Sequence, residues 1–143
     1  MTVVSFHFNV ADRREYACRL LRKATRSGAR VAVAGPVQAL SDLDRSLWMF
    51  DPLDFVPHWR GKSSTELPQR LRSTPIVLVD ELDDLGAYPV LLNLHADVPA
   101  MDAFPARVIE IVGRHENDRA AARERWRAYA RAGVTIERHE VAG

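Results

Sequence analysis

Four arginines near the carboxyl end, Arg119, Arg123, Arg127 and Arg131, recur every four residues. On an α-helix that spacing stacks side chains along one slowly drifting stripe. Trp126 falls beside Arg119 and Arg123, and Tyr129 falls one step farther along the same flank. A guanidinium holds a carboxylate bidentately, and an adjacent aromatic edge gives an apolar side chain a place to rest. Together these groups suit an acidic peptide ending in a hydrophobic residue with a free carboxylate. The same residues also suit a plain solvated basic face with Trp126 and Tyr129 as core fillers. Ala121, Ala128 and Ala132 lie roughly opposite the stripe and are expected to pack on the rest of the fold. Arg125 falls near that alanine face, where snorkelling to its edge is the role open to it.

Other fragments bear on catalysis. Gly61-Lys62-Ser63 has the ending of a phosphate loop, and Ile76-Val77-Leu78-Val79-Asp80-Glu81 reads as an apolar strand closing on two carboxylates. The full loop needs another glycine five residues before Gly61, where this chain has Val56, and it should open a helix, which Pro68 interrupts. NTP hydrolysis through Lys62 and Asp80 therefore has little support, and Asp80 and Glu81 read as the end of a buried strand. His7, His58, His95, His115 and His139 are dispersed, without helical i,i+4 pairing or a thiolate cluster, so no metal site is expected. Cys18 sits mid-helix among apolar neighbours as a small core residue. No serine lies in a nucleophile elbow. Neither an enzyme nor a bound cofactor is expected.

A second concentration is apolar. Trp48, Met49, Phe50, Phe55, Val56 and Trp59 lie within twelve residues, broken by Asp51, Pro52 and Pro57. Such a segment fits either a satellite cluster beneath a loop or an exposed patch for a partner.

The elements that must carry these residues follow from periodicity. Val3–Phe8 alternates as a first strand. Asp12 with Glu15 makes a capping-box pattern for a helix that Gly28 ends. Arg30–Ala34 reads as a strand, and a second helix runs from the Gly35-Pro36 turn to about Trp48. Residues 51–64 form a loop with a brief strand at Asp54–His58. Further strands are expected at Ile76–Asp80, Tyr88–His95 and Arg107–Val112. Asn117 or Asp118 caps a last helix to Ala132, and Thr135–Val141 is extended or frayed. This order predicts a single three-layer α/β domain over residues 1–143 with a mostly parallel sheet.

Composition agrees with one ordinary globular domain: 143 residues, 47% hydrophobic and 27% charged. One cysteine excludes an internal disulfide framework and fits a reducing cytoplasm. No signal-peptide pattern opens the chain, and no apolar run is long enough for a membrane span. A cytoplasmic protein is expected. A net charge of +1 argues against strong attraction to nucleic acid by the molecule as a whole, but it conceals asymmetry. Residues 119–131 hold five arginines against one acid, while four of the five residues Asp80–Asp84 are acidic.

Three motifs carry a family resemblance: Ser46-Leu47-Trp48, Asp54-Phe55-Val56-Pro57-His58, and Ala122-Arg123-Glu124-Arg125-Trp126-Arg127-Ala128-Tyr129 followed by Ala132-Gly133. Through them, and through its element order, the chain resembles the chi subunit of bacterial DNA polymerase III over nearly its whole length. The resemblance implies a Rossmann-like fold without enzymatic activity, acting as an accessory subunit of the clamp-loader assembly. It implies binding of the acidic C-terminal tail of single-stranded DNA-binding protein at Arg119, Arg123, Trp126, Arg127 and Tyr129. Where the family commonly has tyrosine then lysine, this chain has Trp126 and Arg127; a further basic position of the motif is Ala130 here. A psi-type subunit, or another clamp-loader-linked protein, is implied to dock at Trp48, Phe55, Val56 and Pro57, a surface also implicated in binding a helicase-like repair protein. The segment Trp59–Leu67 departs from the family pattern. The competing expectation is direct binding of single-stranded nucleic acid by the same arginines, which the near-zero net charge and only two flanking aromatics disfavour.

Overall fold

The structure is a computed structural model and describes residues 2–49, 56–63, 66–81, 88–99 and 105–142. In chain order the elements are β1 (Val3–Val10), α1 (Arg13–Arg26), β2 (Val31–Ala34), α2 (Val37–Met49), β3 (His58–Gly61), a short 3₁₀ turn (Gln69–Leu71), β4 (Ile76–Val79), β5 (Val90–Asn93), β6 (Arg107–Gly113), α3 (Glu116–Arg131) and β7 (Thr135–Glu140). The seven strands form one sheet in the order β3-β4-β2-β5-β6-β1-β7. All its pairings are parallel, so the expected mostly parallel α/β sheet is wholly parallel among the described residues.

A parallel sheet needs cover on both faces, and its inner strands are accordingly apolar throughout: Val31–Ala34 and Ile76–Val79 are buried at every position. Alternate residues feed two cores. Val31, Val33, Ile76, Leu78, Leu92, Ile109 and Ile111 meet Ala17, Cys18 and Leu21 of α1 and Leu40, Leu43 and Leu47 of α2. On the opposite face Val4, Phe6, Ala32, Ala34, Val77, Leu91, Val108 and Val112 meet Ala122 and Tyr129 of α3. β1 changes sides near its end. Its register shifts between His7 and Val10, with Asn9 at φ 65°, and Val10 then joins the α1–α2 core. Asparagine tolerates that left-handed backbone better than most residues.

Local signals explain the helix ends. The Asp12 side chain accepts from the Glu15 N–H at 3.1 Å, as the capping pattern requires, while the Glu15 carboxylate turns to Arg19 Nε at 3.8 Å. Gly28, at φ 81°, follows the C-cap Ser27, as expected of a left-handed stop.

Two expectations are corrected and a third is resolved. The strand placed at Asp54–His58 lies at His58–Gly61, where it pairs with β4 in the register Trp59↔Val77; positions 54 and 55 lie outside the described residues. The α3 N-cap is His115, ahead of Asn117 and Asp118, and Asp118 instead faces Arg13 Nη1 at 3.6 Å. Of the two readings of Thr135–Val141, extended or frayed, the extended one holds: Thr135–Glu140 is a full strand along β1, from Val3↔Thr135 to Phe8↔Glu140. Its exposed, mostly charged residues suit an edge, where charge discourages unwanted pairing.

Candidate functional site

Glu110 interrupts the apolar run of β6 and is fully buried. Its carboxylate accepts from Arg125 Nε at 2.9 Å, from Asn93 Nδ2 at 2.9 Å and from the Tyr129 hydroxyl at 2.7 Å. Burial pushes the Glu110 carboxyl above its ordinary range, and Arg125 with the two other donors pulls it back. Burial and the adjoining Glu110 carboxylate push the Tyr129 hydroxyl up as well. Arg125 Nη1 also donates to the Ala96 carbonyl at 3.0 Å, tying α3 to the segment after β5.

This network decides how α3 is turned. Its inward residues are Ala122, Arg125 and Tyr129, whereas Ala121 and Ala128 are only part-buried and Ala132 is exposed. The alanine face expected to pack inward is thus rotated aside by roughly 70° at about 100° per residue. Arg125 does not snorkel; it enters the core to meet Glu110.

The rotation opens a hollow of about 850 Å³ between α3 and the ends of β1, β6 and β7. Its floor is apolar: Phe6 and Phe8 from β1, Val112 from β6, and Ala122 and Trp126 from α3. Phe6 and Trp126 stand with ring centroids 5.0 Å apart and planes at 47°. Around the rim are Arg119, Arg123 and Arg127 from α3, Arg114 after β6, and Arg138 from β7, with Glu140 as the acid of the lining. The Arg138 guanidinium lies over the Phe8 ring at 5.1 Å.

Two rim glutamates engage these cations. Arg123 Nη2 donates to Glu116 Oε1 at 2.6 Å, Arg119 Nη1 lies 3.9 Å from Glu116 Oε2, and Arg127 Nη1 donates to Glu124. The Arg123 hydrogen bond holds the exposed Glu116 carboxyl below its ordinary range. Exposed pairs of this kind contribute little stability and exchange readily with solvent or another carboxylate.

Of the residues singled out for an anionic ligand, Arg119, Arg123, Trp126 and Arg127 meet in this hollow. Tyr129 does not. It has no exposed surface, and its hydroxyl is committed to Glu110, so it supports the helix from below rather than touching a ligand. Phe6, Phe8, Arg114 and Arg138 were missed. The Val4-Phe6-Phe8 alternation marked an apolar strand face, but nothing local indicated that α3 would leave it partly uncovered.

The second group of site residues separates. On α2, Trp48 is 60% and Met49 75% exposed, and Trp48 stands 5.1 Å from the His58 ring. Pro57 is exposed. Val56 is 1% exposed in the α1–α2 core beside β4, which removes it from any docking surface. Phe55 lies outside the described residues. His58 donates from Nδ1 to the Val56 carbonyl at 2.7 Å and contacts Asp44 Oδ1 through Nε2 at 2.8 Å, anchoring β3 against α2. Lys62 Nζ faces Glu81 at 3.7 Å across the ends of β3 and β4. No group of three or more His, Cys, Asp or Glu that could hold a metal occurs among the described residues.

In fold, the chain is similar to a DEAD-box helicase domain 2 bound to an RNA duplex. The TM-score is 0.62 at 12% identity, and the match takes in 100% of this chain and 65% of that one, a likeness of fold alone. By sequence it is 30% identical over 151 residues to the DNA polymerase III subunit chi of Pseudomonas aeruginosa, covering 99% of this chain and 98% of that protein. It is also 30% identical over 134 residues to the corresponding subunit of Haemophilus influenzae, covering 89% and 86%. Residues 1–137 match the family model described as DNA polymerase III chi subunit, HolC. The chain therefore belongs to the DNA polymerase III chi subunit family.

Proposed function

We propose that this chain is a non-catalytic, cytoplasmic accessory subunit that receives the acidic C-terminal tail of single-stranded DNA-binding protein in the hollow beneath α3. The observation that carries this reading is one juxtaposition: Arg119, Arg123 and Arg127 line a notch floored by Phe6, Phe8 and Trp126. A peptide of alternating acids ending in an apolar residue matches both halves of such a site. Its carboxylates displace Glu116 and Glu124 from the guanidiniums, and its last side chain covers the aromatic floor. The exposed Trp48 and Met49, on α2 across the sheet from α3, supply a separate apolar contact for a psi-type subunit, another clamp-loader-linked protein or a helicase-like repair protein. Through these two surfaces the subunit links the tail to the replisome.

Titration with a peptide ending in Asp-Ile-Pro-Phe tests the tail site. Binding in the micromolar range, weakening with salt, is expected. Arg123→Ala should lower the affinity by about 1–3 kcal/mol. Absence of binding at low salt would overturn the reading.

A further inference from the structure

We infer that Arg138 of β7 and Arg114 after β6 are further ligand-binding residues of the hollow, each receiving a carboxylate of the acidic peptide on the side that the sheet supplies. The inference rests on the tail-binding reading and adds to it a contact side that the arginine spacing of α3 does not provide.

The five arginines of the rim are of two kinds. Those of α3 are already engaged: Glu116 holds Arg123 at 2.6 Å and stands 3.9 Å from Arg119, and Glu124 accepts from Arg127. The two from the sheet are held in place but pair with no acid among the described residues. Arg114 is fixed through Nε, which donates to the Asn9 carbonyl at 3.4 Å and to Asn9 Oδ1 at 3.2 Å, leaving its Nη groups for a ligand. Arg138 meets the Phe8 ring at 5.1 Å, a contact made by charge that leaves its N–H donors unused. Glu140 shares the lining, but among the described residues it forms an ion pair with neither arginine. A ligand carboxylate therefore reaches Arg114 and Arg138 without displacing an internal partner. The irregularity of β1 builds this arrangement. Asn9, at φ 65°, accepts from Arg114 and donates from Nδ2 to the Val141 carbonyl at 3.2 Å, tying the segment after β6 to the segment after β7.

The need to keep an edge strand from pairing explains why β7 is charged, but either sign serves that purpose. It explains neither a cation laid over Phe8 nor one held on Asn9 beside the inner strand β6. Chemistry selects the ligand. Phe8 belongs both to the aromatic floor and to the Arg138 contact. An apolar side chain that covers Phe8 thus brings a carboxylate of its own residue, or of a near neighbour, within reach of Arg138. Covering the ring also takes water from the cation, which strengthens its pull on an anion. A polyanion without an apolar residue would satisfy the arginines and leave Phe6, Phe8 and Trp126 bare. The ligand that fits is a peptide whose apolar residue has carboxylates close on both sides of it in the chain, one for α3 and one for the sheet.

Calorimetric titration of the full chain with the peptide ending in Asp-Ile-Pro-Phe tests this. Arg114→Gln and Arg138→Gln both change exposed side chains, and far-UV circular dichroism should be unaltered. Each is expected to weaken the peptide about three- to tenfold, and the two together at least about tenfold. Arg19→Gln, which removes the same charge from α1 on the opposite sheet face, should change affinity less than about twofold. Two altered peptides identify the carboxylate: one amidated at its C-terminus, one with its aspartate replaced by asparagine. With the peptide that lacks the bound carboxylate, the loss caused by the arginine variant should shrink to within about twofold. The amide reports the terminal carboxylate and the asparagine reports the side chain. The inference is overturned if the double variant binds like the parent, if Arg19→Gln costs as much, or if neither altered peptide reduces the loss. Oligothymidine that displaces the peptide, and itself loses affinity in the same variants, would overturn it in favour of nucleic acid. Failure of the parent to bind the peptide overturns the tail reading along with this inference. Binding that depends on Arg123 but not on Arg114 or Arg138 overturns this inference alone.

Discussion

Arg125 of α3 and Glu110 of β6 meet at 2.9 Å inside the protein, with side chains 6% and 0% exposed. A buried pair of this kind is a positional device: the attraction roughly offsets the desolvation of both charges, but either charge alone is intolerable. Arg125→Met should therefore destabilise the fold by about 3–5 kcal/mol, whereas Arg125→Met combined with Glu110→Gln should recover most of that loss. Urea unfolding measures both. A single-substitution cost under about 1 kcal/mol would show that the pair does not anchor α3.

Tyr129 and Trp126 stand three residues apart yet have different jobs. Tyr129→Phe removes the hydroxyl donor from Glu110 and should cost about 1–3 kcal/mol of stability while leaving tail-peptide affinity within about twofold. Trp126→Ala, which opens the floor of the hollow, should weaken the peptide at least about tenfold. Reversed outcomes in the same calorimetric titrations would return Tyr129 to the ligand surface.

Glu116 holds Arg123 by a 2.6 Å bond and stands 3.9 Å from Arg119, occupying the cations an incoming carboxylate needs. Glu116→Gln should raise tail-peptide affinity severalfold with no change in far-UV circular dichroism. A drop in affinity would mean that Glu116 orients Arg123 for the ligand instead of competing with it.

His7 lies half-buried on β1, its Nδ1 against the Tyr16 hydroxyl and its ring 5.0 Å from that of His139. Burial first, then His139 and Arg107, lower its pKa to about 4. The unfolded chain takes up this proton near the ordinary value of about 6.5, which the folded chain refuses until about pH 4. The contribution is therefore complete above about pH 6.5 and is lost as pH falls toward 4, amounting to about 1–2 kcal/mol after solvent screening. His7→Asn should flatten that part of the stability–pH curve. An unchanged slope between pH 6.5 and 4 would assign it to other groups.

Much of the frame was legible because its signals are local. Alternation in Val3–Phe8, the continuous apolar run Ile76–Val79, the Asp12 cap and the Gly28 stop each report on a few neighbouring residues, and the structure keeps all four. The arginine stripe was legible for the same reason, since helical spacing alone places Arg119, Arg123 and Arg127 on one flank. The strand at His58–Gly61 and the seventh strand at Thr135–Glu140 were not, because each exists through pairing with a partner far along the chain: Trp59 with Val77, and Ile136 with Val4.

By itself, then, the order of residues determined an α/β chain with a basic, aromatic-edged last helix and a family kinship carried by short motifs. Tertiary structure decided what that helix shows and what it hides. Among the described residues the interior of the sheet presents one buried carboxylate, Glu110, and a buried carboxylate must be met by donors; Arg125 and Tyr129 turn inward to meet it. That requirement couples positions fifteen and nineteen residues apart. It withdraws Tyr129 from the surface and leaves Trp126 beside Phe6 under a rim of guanidiniums.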